Sequence, residues 1–211
     1  MRLAVLSDPE TGFLEVCDGE RVVLLGGSGS GKTVVVKKLL ALGQRITGRS
    51  RTPVPNSVAY VPQTDGVLLD LNVLQHLCAP HPGVPGIPED KARDWLDLVG
   101  LSSHINRPTS ELSLTERRRV ALARALSRER PLLVIDGDLD PTLSPLLPDL
   151  LDAVPHLCSV LTTSCTATSW VRRADRIAVV HDCRVIATGT WEQLVEVKDD
   201  RVQVCLSWTM P

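Results

Sequence analysis

The sequence predicts an α/β fold built on a mostly parallel sheet with helices on both faces. Three observations carry that expectation. Short apolar β-type runs alternate with helix-type segments along most of the chain. One of these strand-to-helix junctions holds the stretch GGSGSGKT, Gly26 to Thr33. A second apolar run, Leu132 to Ile135, ends in a carboxylate, Asp136. That is where the ligand crevice of a doubly wound sheet lies.

Each element follows in order. β-type runs are expected at Leu3–Leu6, Val22–Leu25, Val58–Val61, Leu132–Ile135, Val160–Thr163, Ile177–Val180 and Val185–Thr188. The first belongs to an N-terminal β subdomain. The last two flank Asp182-Cys183 and read as a hairpin. Helices are expected at Thr33–Leu42, Asp90–Val99 and Thr115–Arg128. The Pro/Gly-rich stretch between Pro80 and Pro88 reads as a loop. Residues 201–208 fit a strand but carry no motif. At 211 residues the chain is expected to form a single domain, 1–211, with a helical insert at about 64–110.

Composition narrows the function classes. Apolar residues make up 43% of the chain but aromatics only 3%, so the core is expected to be aliphatic. The formal net charge is −2, which gives no global field for nucleic acid or anionic lipid. The one basic cluster, Arg117-Arg118-Arg119, fits a solvated or phosphate-facing helix surface. The six cysteines form no CxxC pair, so zinc is not expected. No run of about 18 apolar residues is present to span a membrane. The first residues carry no secretory pattern. A cytosolic, reduced protein is expected, with any membrane role supplied through a partner.

GGSGSGKT has the spacing of a phosphate-binding loop, or P-loop: Gly26, four positions, then Gly31-Lys32-Thr33. Gly26, Gly27, Ser28, Gly29, Ser30 and Gly31 let backbone amides wrap an anion, and the following helix N-terminus adds positive potential. Lys32 would reach the β- and γ-phosphates, and the Thr33 hydroxyl would ligate Mg²⁺. ATP and Mg²⁺ are the expected ligands.

Further along come Tyr60-Val61-Pro62-Gln63, the amphipathic run Leu71 to Leu77, Leu98-Val99-Gly100-Leu101, the segment Arg107 to Ser113, the helix-like run Arg117 to Leu126, and the strand ending at Asp136. In this order the series resembles the nucleotide-binding domain of ATP-binding cassette (ABC) transporters, from about Gly19 to Gln193. The resemblance implies a P-loop NTPase sheet. It assigns Gln63 to the glutamine that ligates Mg²⁺ and senses the γ-phosphate, and Asp136 to the aspartate that holds Mg²⁺ through water. Leu112-Ser113-Leu114-Thr115-Glu116 occupy the signature that contacts ATP bound to a second protomer, and Leu139-Asp140 the loop that communicates across the dimer. It implies a second nucleotide-binding domain as partner, identical or different, and integral membrane subunits docked on the helical insert. The cassette would then sit peripherally on the inner face of the cell membrane. A degenerate, non-transport cassette that uses ATP as a structural or regulatory ligand is the alternative. A small-molecule kinase fits Gln63 and the Glu111 to Leu126 run poorly.

The chain also departs from the family pattern. Gly137 stands where the family has its catalytic glutamate, so no side chain is there to polarise water. Asp138 is the weak substitute. Cys165 stands where a switch histidine is expected. Leu114-Thr115-Glu116 replace Gly-Gly-Gln, and Glu116 brings a carboxylate toward a triphosphate. The adenine-stacking aromatic would fall near Leu3, and Phe13 matches a core position instead. Binding of Mg·ATP with weak or absent hydrolysis is the resulting expectation.

Overall fold

The computed structural model describes residues 2–46, 58–63, 67, 70–80, 85–137 and 159–207. They divide into two compact units. The first comprises Met1–Val54, Val134–Leu139 and Cys158–Pro211, and the second Pro55–Leu133 and Asp140–Leu157.

The first unit opens with an antiparallel pair, β1 (Arg2–Asp8) and β2 (Gly12–Cys17). β2 escaped the sequence reading, although its side chains alternate as a strand's must. Leu14 and Val16 turn inward, at 1% and 0% exposure. By the same period of two, Phe13 turns outward and is 51% exposed, so its expected core position is corrected. The Asp8 carboxylate accepts the Glu10 and Thr11 amides and closes the turn.

A larger sheet follows. β3 (Arg21–Leu25) runs parallel to both β6 (Ser159–Ser164) and β7 (Arg176–His181). β8 (Arg184–Gly189) returns antiparallel to β7 as the expected hairpin. Asp182 and Cys183 turn it with φ of +47° and +60°. With β5 (Leu132–Ile135), the strand order is β5-β6-β3-β7-β8. The mostly parallel α/β sheet is thus present. β3 reads as an unbroken apolar run because it is an interior strand, and Val22 to Leu25 are 0–1% exposed.

Helix α1 (Lys32–Ile46) leaves β3 through the Gly/Ser stretch and buries Val35, Val36 and Leu39. The C-terminal part holds three short helices, α5 (Ser169–Arg172), α6 (Trp191–Val195) and α7 (Asp200–Ser207). The strand expected over residues 201–208 is therefore a helix. Val202, Cys205 and Leu206 are its buried residues, a spacing of three and four that makes one helical face.

The second unit contains β4 (Val58–Val61), α2 (Val73–Cys78), α3 (Glu89–Leu98) and α4 (Leu114–Leu126), with single 3₁₀ turns at Ser102–His104 and Thr109–Glu111. α2, α3 and α4 pack on one another around Val73, Leu77, Ala92, Leu96 and Val120. Asn72 and Gln75 cap α2 reciprocally. His76 is wholly buried and lies 3.2 Å from the Arg124 guanidinium. Burial, then the neighbouring Arg128, holds Arg124 below its ordinary pKa. The basic cluster serves this unit's backbone: Arg117, Arg118 and Arg119 donate to the carbonyls of Leu112, Gln63 and Val99. That corrects the expectation of a purely solvated or phosphate-facing surface. Residues 85–88 form no regular element, as the Pro/Gly pattern predicts.

Candidate nucleotide-binding site

The site grows from the C-terminal end of β3. The Gly26 amide donates to the Ser164 carbonyl at the end of β6, and Ser30 N–H donates to Gly27 O, closing the loop into a ring. Gly29 and Gly31 take φ of +80° and +94°, a conformation L side chains rarely adopt. A Cβ on Gly31 would collide with Cys183, 2.6 Å from its Cα. The collision exists because the hairpin turn braces the loop: the Cys183 amide donates to Ser30 O at 2.8 Å. The spacing of GGSGSGKT reports only the loop, so nothing local in the sequence announced Cys183 as its neighbour.

The Lys32 ammonium folds back over the loop. It donates to Gly26 O at 2.6 Å, Gly27 O at 2.9 Å and Cys165 Sγ at 3.2 Å. Thr33 Oγ1 donates to Asp136 Oδ1 at 3.0 Å. Asp136 is 3% exposed and accepts a second hydroxyl, Thr163 Oγ1, at 3.4 Å. Thr163 in turn accepts the Gly137 amide at 2.6 Å. Thr163 is thus the positioning residue that sequence reasoning missed. Its strand reads Ser-Val-Leu-Thr-Thr-Ser, so nothing in the sequence set this hydroxyl apart from its neighbours.

These groups define what the site can hold. The α1 N-terminus has no acidic residue in its first turn, so its amides and Lys32 offer an anion uncompensated positive potential. Thr33 and Asp136 present two hard oxygen donors side by side. That suits Mg²⁺, which takes one or two protein ligands and completes its shell with water and phosphate. Among the described residues no group of three His, Cys, Asp or Glu side chains forms a self-sufficient metal cage.

Two family positions look different in three dimensions. Gly137 has φ +112°, so the backbone as well as the missing side chain disfavours a glutamate there. Cys165 faces Lys32 from the position assigned to the histidine. Asp138 and Leu139-Asp140 lie outside the described residues.

The remaining candidates, Gln63 and Leu112 to Glu116, belong to the second unit. The Gln63 carbonyl accepts from Arg118 at 3.4 Å. Leu112 is buried, while Leu114 is 58% exposed and Thr115 exposed. Ser113 caps α4 but is itself engaged: its amide and hydroxyl both donate to Glu116 Oε2 at 2.7 Å. Glu116 N–H returns a bond to Ser113 Oγ at 3.3 Å, which completes a capping box. His104 Nε2 lies 3.1 Å from Glu116 Oε1. The bonds from Ser113 hold the Glu116 carboxyl below its ordinary pKa.

A phosphate-binding loop after an interior strand of a mostly parallel sheet, with a buried aspartate at the end of β5, one strand beyond its neighbour β6, defines a P-loop nucleotide-binding protein. A family model described as "ABC transporter" matches residues 13–140. The aliphatic sulfonates import ATP-binding protein SsuB 2 of Rhizobium johnstonii is 34% identical over 178 residues, covering 82% of this chain and 71% of that protein. The thiamine import ATP-binding protein ThiQ of Salmonella choleraesuis is 33% identical over 202 residues, covering 86% and 85%. The sulfate/thiosulfate import ATP-binding protein CysA of a Synechocystis strain is 32% identical over 204 residues, and there the match spans 56% of the relative. Among solved structures, an ATP-binding subunit of an ABC transporter superposes with a TM-score of 0.73 at 22% identity, covering 96% of this chain and 95% of that one. An ATP-bound bacterial Atm1-family ABC exporter gives 0.75 at 20% identity, covering 95% and 40%. The chain belongs to the ABC transporter family.

Proposed function

We propose that this chain binds Mg·ATP at the loop Gly26 to Thr33 and transmits that binding, through closure against a second nucleotide-binding domain, to integral membrane subunits. The observation that carries the reading is the set Lys32, Thr33 and Asp136 on one loop and one strand end, with the two oxygen donors 3.0 Å apart. Lys32 exchanges its bonds to Gly26 O and Gly27 O for phosphate oxygens, and the amides of Gly29 and of Gly31 to Thr33 cradle the same phosphates. Thr33 and Asp136 hold Mg²⁺, with Gln63 as the third, γ-phosphate-sensing ligand. The ion, when bound, neutralises charge on the phosphates. Thr163 helps hold Asp136 in place by donating to the same oxygen, Oδ1, that accepts from Thr33.

Hydrolysis by this chain is weak or absent. Gly137 supplies no base and Cys165 no cationic donor. The α4 N-terminus adds a reason of its own: the Ser113 hydroxyl and amide are spent on Glu116, whose carboxylate puts negative charge at the helix start. A partner cassette's nucleotide therefore gains little from this chain's α4. The relatives named above are import ATP-binding proteins, which supports placing the chain at the inner face of a membrane through its partners. No described helix is long and apolar enough to cross a membrane.

Calorimetric titration of ATP with Mg²⁺ into the wild type and Lys32→Ala tests the reading. Wild-type binding lost or much weakened in Lys32→Ala is expected. Equal affinities would reject it.

A further inference from the structure

Three cysteines far apart in the sequence converge on the phosphate-binding loop, and the nucleotide-binding reading uses none of them. Cys183 sits in the hairpin turn, with its amide on Ser30 O and its Cα against Gly31. Cys205, on α7, receives the Gly27 amide at its sulfur and feels the Lys32 charge. Cys165 receives the Lys32 ammonium directly, at 3.2 Å.

Their surroundings separate them chemically. Cys205 is buried, and burial pushes its thiol pKa up despite the Gly27 amide and Lys32, so it stays protonated and inert. Cys183 is half-buried. Cys165 alone combines partial exposure with a cation bonded to its sulfur. A thiol in contact with a lysine ammonium and open to solvent is the microenvironment of a reactive cysteine, because the thiolate is the nucleophile and the ammonium favours it. The same ammonium is the group meant for the phosphates, so anything attached to this sulfur lies between Lys32 and its ligand.

We propose that Cys165 is a redox modification site, a thiol that hydroperoxides oxidise to sulfenic acid and whose oxidation weakens nucleotide binding at the loop. The thiol loses its proton, and the thiolate sulfur attacks the terminal peroxide oxygen. An S–O bond forms as the O–O bond breaks. Sulfur is oxidised by two electrons, the peroxide is reduced, and the departing oxide takes up the proton as water or alcohol. The added oxygen accepts a bond from Lys32 and holds the ammonium away from the phosphates. Bound nucleotide draws Lys32 off the sulfur and covers it, so it slows the oxidation. A second thiol-specific reducing step, by an added dithiol, restores the loop.

The nucleotide arm of this proposal rests on the proposed Mg·ATP binding, and the test separates the two. The full chain is treated with limiting N-ethylmaleimide, or with hydrogen peroxide followed by dimedone to trap sulfenic acid, and each cysteine is quantified by peptide mass spectrometry. Cys165 is expected to react at least tenfold faster than Cys183 and Cys205, to slow several-fold in Lys32→Gln, and to slow again with Mg·ATP. Peroxide is expected to weaken ATP binding at least tenfold in the wild type, reversibly with dithiothreitol, while the ratio of oxidised to reduced affinity stays near one in Cys165→Ser. Labelling of Cys165 no faster than Cys183 overturns the proposal. So does an equal peroxide effect on ATP binding in Cys165→Ser. If the reduced wild type binds no ATP, the nucleotide reading fails alone, and the labelling order with the dimedone adduct still decides the thiol.

Discussion

Helices α1 and α4 both begin after a short polar loop, and both present amides that no helical carbonyl satisfies. They resolve that shortage in opposite ways. α1 starts from glycines, has no acidic residue in its first turn and keeps its donors for a ligand. α4 starts from Ser113 and closes reciprocally: Glu116 accepts the Ser113 amide, and Ser113 Oγ accepts the Glu116 amide. The same local physics thus leaves a first turn with no acidic residue in one unit and a closed cap in the other. One side chain at the third helical position decides which.

The comparison breaks most severely on turnover. Chemistry is expected to run about 10²–10³ below an ordinary enzyme rate of about 1 s⁻¹, because the base and the cationic donor are missing. Gly137→Glu is expected to leave it unrestored, since φ +112° strains any side chain there. Phosphate release in the steady state checks both. Turnover near ~1 s⁻¹ that disappears in Asp138→Asn would overturn the contrast by supplying a base.

Affinity comes next. Lys32→Ala is expected to weaken ATP at least tenfold, about 1.4 kcal/mol, while Glu116→Gln leaves the P-loop affinity of the isolated chain unchanged. Calorimetry on both variants sharpens the assignment of open and closed helix ends.

Base selectivity is smaller still. ATP and GTP are expected to bind within about tenfold of each other, since no aromatic stands near Leu3 and a lost base stack is worth about 1–3 kcal/mol. Phe13 is exposed and is the side chain to replace first if competition shows a strong adenine preference.

The smallest effect is on stability. Ser113→Ala is expected to cost about 1 kcal/mol as a lost cap. Because the Glu116 carboxyl is held below its ordinary value of 4.5, the cap contributes fully above that value. The contribution disappears as pH falls through the lowered folded value. Denaturant melts of wild type and Ser113→Ala should therefore differ at neutral pH and converge in acid.

Much of this was legible in the chain because it depended on neighbours in sequence. GGSGSGKT dictates its loop through glycine geometry. β3, β5 and β7 announce themselves as apolar runs because their surroundings are apolar on both faces. Residues 201–207 misled because Val202 and Val204 alternate like a strand, whereas burial selects Val202, Cys205 and Leu206. Phe13 misled in the opposite direction, since its match to a core position of the family pattern suggested burial that the pleat does not give it. Thr163 and Cys183 could not be read at all. Their roles arise from the pairing of β6 with β3 and of β8 with β7, which local patterns do not encode.

The hairpin turn at Asp182-Cys183 has a consequence for heredity. Its backbone leaves no room for a Cβ at Gly31, while its amide holds the Ser30 carbonyl. Two stretches remote in the gene therefore cannot drift independently. A lineage that lengthens or shifts the turn loosens the ring that grips phosphate, and one that enlarges residue 31 displaces the turn. Changes in the outer edge of the sheet are thus filtered by the loop's chemistry, even where no ligand touches them. Libraries that diversify the two stretches together should yield working combinations that neither stretch reaches alone.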